Sequence, residues 1–451
     1  MIGLLKRTKK MEKKIKKKNI LLIYNYMIVE PLAVLFLQNY VDDNGHEADL
    51  IDYQSMPEDF DFSKYDYVGF SILTGSHNQM FEIADKIKDK TKVIIGGAHT
   101  ISFSKESKEH ADFVVRGFGE RILIKILNGE IKEEGIYSEK VPPKDLLISN
   151  REKFYKDEKR RNNPIKNVFT SYCCPYKCTY CYNSIVQEEF PKYNFTVRPV
   201  ESVIKECKIL LKYPLKLIFF QDDTFGVNVK WMKEFSKLYR KEINIPYHCN
   251  IRIDILTEER VYLLKESGCE SVTFSIECAS EELRKGLLGK PISNKQIFDG
   301  VNLLRKYGIT FRTQQMVGLP TTTIEDDIEL LKMSCELKPL FASATVFTPM
   351  LGTPLVDYCI KKGYYNPENE IDGTLFGRSV LNFSEKRKDQ ITLLHKLFSL
   401  LSHIPEGWRL AETLIQKEFS LDELYKFSKF HLFDVMYKLD KKTAEETRAE
   451  N

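Results

Sequence analysis

Between residue 18 and about residue 135 the chain alternates short apolar runs with stretches whose apolar positions recur every three to four residues. Asn19–Tyr24, His46–Tyr53, Tyr67–Leu73, Val93–Ile95 and Phe113–Val115 read as strands, and Pro31–Asn44 and Asn78–Asp89 as amphipathic helices, with Gly45 ending the first. This alternation predicts a parallel sheet with helices on both faces. A second alternating block begins at Val168. Its expected strands are Val168–Ser171, Leu217–Gln221, Tyr247–Ile253, Ser271–Ile276, Thr310–Val317 and Ala342–Phe347. The helical stretches between them are Val200–Leu211, Lys230–Arg240, Glu258–Glu266, Asn294–Tyr307 and Glu325–Leu337. Six such units predict a partial (β/α)6 barrel of the TIM type, with its chemistry at the C-terminal strand ends.

Charge and composition set the boundaries. Residues 1–17 form a basic tail, expected to be disordered. Residues 18–135 are a Rossmann-like (flavodoxin-like) domain, 136–165 a charged linker with Pro142-Pro143, 166–383 the barrel, and 384–451 a small helical C-terminal domain. At 451 residues, 43% hydrophobic and 29% charged, the composition is that of a soluble multi-domain α/β protein. The net charge of +4 hides an asymmetry: residues 1–18 carry nine Lys and Arg against Glu12, so the remainder is about −4. A tail of this kind is more often a solvated extension than a contact for nucleic acid or lipid, and no nucleic-acid partner is expected. The apolar stretch Ile20–Leu37 is interrupted by Asn25, Glu30 and Pro31, which is poor for a membrane span. A cytoplasmic protein with no membrane partner is therefore expected. Ten cysteines in a long, Lys-rich chain read as reduced thiols with one subset on a metal, not as a disulfide framework.

That subset follows the first strand of the second block: Ser171-Tyr-Cys-Cys-Pro-Tyr-Lys-Cys-Thr-Tyr-Cys-Tyr-Asn183, containing Cys174-x3-Cys178-x2-Cys181. Three thiolates on a tight loop can ligate three irons of a 4Fe–4S cube and leave the fourth open. A structural zinc would want a fourth Cys or His, and none lies nearby in sequence. The loop resembles the radical SAM signature, in which three cysteines hold the cluster and an aromatic precedes the last of them. Tyr180 fills that position, which in the family lies against the adenine of S-adenosylmethionine (SAM). Tyr172-Cys173 departs from the family's frequent Arg-Gly, making Cys173 a spare thiol.

Further segments match the family strand by strand. Phe219-Phe-Gln-Asp-Asp-Thr-Phe225 resembles its second-strand motif and implies Asp222 and Asp223 near the SAM amine. Ser275-Ile-Glu-Cys-Ala-Ser280 resembles its Ile-Glu-Ser-Gly-Ser motif, with Glu277 near the ribose or amine, although Cys278 and Ala279 depart from it. Met316-Val-Gly-Leu-Pro320 resembles the segment that supports the adenosyl group and brings in Gly318. By the period of two, His248, Asn250, Arg252 and Asp254 share one face of the third strand, and Thr310, Arg312 and Gln314 one face of the fifth. A dry core would not tolerate such stripes. Arg252 and Arg312 are accordingly candidates for SAM binding, against the alternative of structural pairs such as Arg252–Asp254.

In the first domain, small residues at strand ends allow close approach of a ligand: Thr74-Gly75-Ser76, Gly96-Gly97 and Gly117-Phe118-Gly119. Glu30-Pro31-Leu32-Ala33, Asn44-Gly45-His46-Glu47, Gly96-Gly97-Ala98-His99 and Val115-Arg116-Gly117-Phe118-Gly119-Glu120 follow the order of the cobalamin-binding domain that precedes some radical SAM barrels. Ala98 and Phe118 depart from the usual Pro and Glu. The resemblance implies cobalamin contacts from Pro31, Thr74, Gly75, Ser76, Gly96, Gly97, His99, Gly117, Phe118 and Gly119. There is no Asp-x-His-x-x-Gly, so no histidine is expected on cobalt, and His77 reads as a hydrogen-bonding residue. The alternative is a flavodoxin-like domain that has lost its cofactor site.

The cofactors implied are a 4Fe–4S cluster, SAM and cobalamin, and the activity is that of a cobalamin-dependent radical SAM methyltransferase. In that reaction a 5′-deoxyadenosyl radical abstracts hydrogen from an unactivated position and methylcobalamin delivers the methyl group. The partners implied are a small-molecule or peptide substrate and a reductant such as flavodoxin or ferredoxin. Non-methylating ring closure or rearrangement, and a cobalamin- or redox-sensing binding protein, are the alternatives.

The spacing generates a direct test. Cys174→Ala, Cys178→Ala and Cys181→Ala should each lose cluster iron and 5′-deoxyadenosine formation, and Cys173→Ala should keep both. Full activity in Cys174→Ala would move the ligand to Cys173.

Overall fold

The computed structural model describes residues 16–26, 29–143, 146–189, 195–369 and 377–416. The basic tail before residue 16 and the C-terminal region beyond 416 lie outside them. The described residues form two compact units, one within 1–26, 33–72 and 79–146, the other within 27–32, 73–78 and 147–451.

The first unit is built on six strands: β1 (Asn19–Tyr24), β2 (Glu47–Asp52), β3 (Tyr67–Ser71), β4 (Lys92–Gly96), β5 (Phe113–Gly117) and β6 (Gly135–Glu139). They lie in the order β2-β1-β3-β4-β5-β6 and every pairing is parallel. Ile20–Tyr24 of β1 are all buried, as expected of a strand covered on both faces. Chain order reverses between β1 and β3, which makes their C-terminal ends the topological switch point. Helix His77–Ile87 turns Met80, Phe81, Ala84 and Ile87 onto this sheet. Strand β6 falls where the pattern had suggested linker. Its residues are half-buried or exposed, so no apolar run announces it, and parallel pairing to β5 supplies what its sequence lacks.

The second unit carries β7 (Ile165–Val168), a short antiparallel pair of β8 (Ser171–Tyr172) and β9 (Thr196–Val197), then β10 (Leu217–Phe220), β11 (Tyr247–Asn250), β12 (Cys269–Glu277), β13 (Thr310–Val317) and β14 (Phe341–Val346). The six-stranded sheet runs β7-β10-β11-β12-β13-β14, parallel and in chain order, the topology of a partial barrel. Alternate residues divide its faces. Ile218, Phe220, Tyr247, Cys249, Val272, Phe274, Phe311 and Val317 join the core beneath the helices. The other face carries Gln221, Asn250, Ser275, Arg312, Gln314, Ser343 and Thr345, all at least partly accessible. Helices Glu385–Ser402 and Gly407–Gln416 contribute Ile391, Leu394, Leu397, Phe398 and Ala411 to that same core. In the described residues, therefore, the C-terminal helices pack into the barrel's core and do not build one of their own.

The first strand of the barrel is fixed by buried charge. Arg151, fully buried, pairs with Glu30 and, at 2.8 Å, with Glu206. Arg198 pairs with the other oxygen of Glu206 at 2.8 Å. Tyr155 donates to Glu30 at 2.5 Å. The backbone of β7 is drawn into the network: Asn167 N–H donates to Glu30 and Asn167 C=O accepts from Arg151. Phe169 C=O accepts from Arg198. The strand consequently begins and ends three residues earlier than its sequence pattern suggested. Removing one member of a buried pair strands its partners in a medium that cannot solvate them, at about 3–5 kcal/mol. Arg151→Met should lower stability by that amount, read from chemical denaturation followed by circular dichroism, and more than the exposed control Arg378→Met.

Candidate active site

The cysteine loop leaves the C-terminal end of β7 and is fastened along its length. Gln187 donates to the carbonyls of Cys174 and Tyr176 at 2.7 and 2.9 Å. Thr179 bonds the Leu287 and Leu288 carbonyls, and its own carbonyl accepts from Leu355 N–H. Cys173 sits at φ +62°, the left-handed region where the family's frequent glycine would be unstrained. All three cysteines lie on one loop, at the spacing with which three thiolates can hold three irons of a cube.

Each sulfur has a polar neighbour. Cys174 Sγ is 3.8 Å from Thr224 Oγ1, Cys178 Sγ accepts from Arg252 Nη1 at 3.7 Å, and Cys181 Sγ accepts from Asn183 Nδ2 at 3.8 Å. Burial raises the Cys174 thiol and pushes Cys181 up to about 11, so a cation is needed to hold them as thiolates. Buried Asn183 ties the loop together: its Oδ1 accepts from Cys174 N–H and its Nδ2 also donates to Asp223 at 3.1 Å. Nothing in the sequence singled out Asn183; its importance comes from its place at the start of helix Tyr182–Glu189, where it reaches Cys174, Cys181 and Asp223 at once.

Adjacent acidic residues part company. Asp222 is fully buried and accepts from Thr170 N–H, Thr170 Oγ1 and Ser171 Oγ, which takes up its carboxylate inside the protein. Asp223, on the opposite face, is exposed, although enough protein surrounds it to raise its carboxyl. Tyr180 donates to Glu277 Oε1 at 2.5 Å, and Lys290, 5% exposed, donates to the same oxygen at 2.7 Å. Glu277 sits at φ +69° beside an irregularity in the β12–β13 register, a strained turn that swings its carboxylate to the strand end. No protein donor reaches Glu277 Oε2 among the described residues. Lys290 was not legible in sequence, being thirteen positions from its partner.

Arg252 makes a two-bonded pair with Asp254 at 3.0 and 2.9 Å and stacks 3.7 Å over Tyr176, so the expected pair and a place beside the cluster loop coexist. Arg312 lies on the same inner face, well below the end of β13. Gly318, φ +70°, has its N–H on Asp327 and leaves no room for a side chain, because a Cβ would meet Ile391 at 2.8 Å. Asp222 and Gly318 are thus engaged within the protein, and their place in the site is to support it.

In the first unit, Gly97 has φ +100° and a Cβ there would lie 2.5 Å from Ile72 O; no other residue fits. Gly96, at the end of β4, and Gly117, φ +84°, stand with it at the C-terminal edge of the sheet. Phe118 N–H donates to Glu139 O, and Gly119 packs on Leu37. His99 is buried, stacks on Phe103 and has Nε2 3.4 Å from Glu106. Pro31, Thr74, Gly75 and Ser76 group instead with the second unit. There Thr74 is exposed, Ser76 Oγ donates to Leu73 O, and His77 Nδ1 accepts from Gly75 N–H at 3.1 Å.

These observations meet the comparisons with known proteins. Residues 19–127 match the B12 binding domain, and residues 168–333 the radical SAM superfamily. An uncharacterized methyltransferase of Pyrococcus horikoshii is 30% identical over 73% of this chain and 78% of its own length. The chain belongs to the radical SAM superfamily. It is a radical SAM enzyme with a B12-binding domain ahead of the barrel, and its cofactors are a 4Fe–4S cluster, SAM and cobalamin. Cytidylyl-2-hydroxyethylphosphonate methyltransferase of Streptomyces wedmorensis is 22% identical over 78% of this chain and 82% of its own. The same fold is seen in the methyltransferase TsrM of Kitasatospora setae, solved with cobalamin and a [4Fe-4S] cluster: TM-score 0.64, 16% identity, 78% of this chain and 77% of that one. No helix among the described residues is long and apolar enough to cross a membrane.

Glu120, in the last of the glycine-rich motifs, is buried, and its Oε2 has no hydrogen-bond partner among the described residues. Burial raises its carboxyl from 4.5 to about 7. A folded-state value above the unfolded one means that its contribution to stability is present below about pH 4.5 and lost as pH rises through about 7, at about 3 kcal/mol. Glu120→Gln should match the wild type in stability near pH 4.5 and exceed it above pH 7, as read from denaturation midpoints across that range.

Proposed function

We propose that the chain is a cobalamin-dependent radical SAM methyltransferase in which Cys174, Cys178 and Cys181 ligate the cluster. The observation that carries the reading is the set of three thiols on one fastened loop, each met by a polar group. When bound, the cofactors supply a 5′-deoxyadenosyl radical that takes hydrogen from an unactivated carbon and a methyl group that replaces it.

The residues of the chain position and insulate. Arg252, held by Asp254, directs one guanidinium N–H at Cys178 Sγ. Asn183 holds the first and third ligands in one register. Tyr180, its hydroxyl anchored on Glu277, presents a fixed ring face to adenine, and Glu277 Oε2 is left to receive a ribose hydroxyl or the SAM ammonium. Asp223 serves the ammonium from the opposite strand end. Gly96, Gly97, Gly117 and Gly119 let cobalamin approach the first sheet's backbone. Methyl transfer is favoured over ring closure because the relative at 30% identity is named a methyltransferase, whereas the magnesium-protoporphyrin IX monomethyl ester cyclase of Rubrivivax gelatinosus, which matches 71% of the chain, is 24% identical.

Reconstituted anaerobically with iron, sulfide, cobalamin and a reductant, and given its substrate with methyl-deuterated SAM, the enzyme should consume two SAM per turnover. The products should be one S-adenosylhomocysteine, one 5′-deoxyadenosine and one labelled methyl on product. A product accompanied by 5′-deoxyadenosine, but with neither S-adenosylhomocysteine nor an added methyl, would reject methylation for ring closure or rearrangement.

A further inference from the structure

Part of the inner face of the barrel sheet is accessible. Gln314 lies in β13, with β12 hydrogen-bonded on one side and β14 on the other, yet its side chain is exposed. On a central strand this means that none of the described residues covers that part of the face. The cations along this face are matched almost throughout: Arg252 with Asp254 and Lys290 with Glu277.

Arg312 is the exception. Among the described residues no carboxylate pairs with it, and its Nε is shut from solvent with no acceptor. Burial lowers its pKa, the expected sign for a guanidinium without a counter-charge. The nearest titratable neighbour gives no relief. His248 has both ring nitrogens on hydroxyls, Ser271 at 2.6 Å and Thr273 at 2.9 Å, and burial together with the field of Arg312 pushes it to about 3, so it is neutral. Thr273 is the direct cross-strand neighbour of Arg312, and half-buried Ser343 faces the same opening one strand away. A desolvated guanidinium beside hydroxyl groups and a neutral imidazole, with no acid, is the complement of an oxyanion; the planar fork matches carboxylate or phosphoryl oxygens two at a time.

Register gives the depth. Gln315 pairs with Glu277, and Arg312 is three residues earlier on the same strand, about 10 Å deeper. SAM, held by the cluster loop and Glu277, occupies the strand ends, so the group that reaches Arg312 belongs to another molecule. We infer that Arg312 is the receptor for an oxyanion carried by the substrate, a carboxylate or a phosphoryl group, seated deep in the open face with the reacting carbon held toward the strand ends. The inference rests on the radical SAM reading of this face.

The test uses the reconstituted holoenzyme, with wild type, Arg312→Gln and Arg312→Lys compared by calorimetry. Each is titrated with SAM and, separately, in the presence of SAM, with inorganic phosphate and with acetate. The wild type should bind one of the two oxyanions, and which one separates a phosphoryl from a carboxylate substrate. Arg312→Gln should weaken that oxyanion at least tenfold more than it weakens SAM, and Arg312→Lys should fall between, which also guards against a misfolded variant. A loss of SAM affinity as large as the oxyanion loss would assign Arg312 to the SAM carboxylate. Oxyanion binding that is absent in the wild type, or indifferent to Arg312, would also overturn the inference. Failure of the wild type to form any 5′-deoxyadenosine would sink the underlying reading instead.

Discussion

Four charges that never reach water hold the start of the barrel in place. Glu30, Arg151, Glu206 and Arg198 are each less than a tenth exposed and alternate in sign, so each carboxylate lies between two guanidinium or phenol donors. Such an arrangement is expensive to desolvate, and it survives because every member is answered and because it takes up backbone groups of β7 that a strand at the sheet edge would leave unpaired. The cysteine loop begins a few residues beyond that strand. Where Cys174, Cys178 and Cys181 stand therefore depends on a salt-bridged network that contains none of them.

From that fixed start the sheet builds a surface with two natures. Its outer face is aliphatic and aromatic and is closed by helices; its inner face is polar and partly accessible. Polar side chains facing one another in a closed core would be costly, whereas facing a cofactor and a substrate they are useful. The same logic explains the pairing of charges along the face. Arg252–Asp254 and Lys290–Glu277 are each neutralised within the pair near the cysteine loop, and Arg312, with no carboxylate partner among the described residues, lies deeper. Strain is placed with equal economy: Cys173 and Glu277, both non-glycine residues at positive φ, flank the site at the ends of different strands.

Much of this was legible beforehand, and the exceptions share a cause. The strands Asn19–Tyr24 and Thr310–Val317 were read to the residue because apolar runs and alternation are local. β6 was passed over because its stability comes from β5 and not from its own side chains. β7 was displaced because its limits answer to Glu30 and Arg151, more than a hundred positions apart. Asp222 and Asp223 looked equivalent in sequence; both lie just beyond the end of β10, and only the neighbours that the fold supplies decide which one is consumed by Thr170 and Ser171.

The sequence alone determined whatever depends on near neighbours. It set the spacing of Cys174, Cys178 and Cys181, the glycines that permit positive φ at strand ends, the two-residue stripes of the inner face, and through these the family and its cofactors. The tertiary structure decided what depends on distant residues meeting: that Lys290 answers Glu277, that Asn183 joins Cys174 and Cys181 to Asp223, that Gly318 is needed beneath Ile391, and that no acid among the described residues answers Arg312. A hydrogen bond or an ion pair is short-ranged in space but unconstrained in sequence, so only the folded chain fixes which partners each polar group will have.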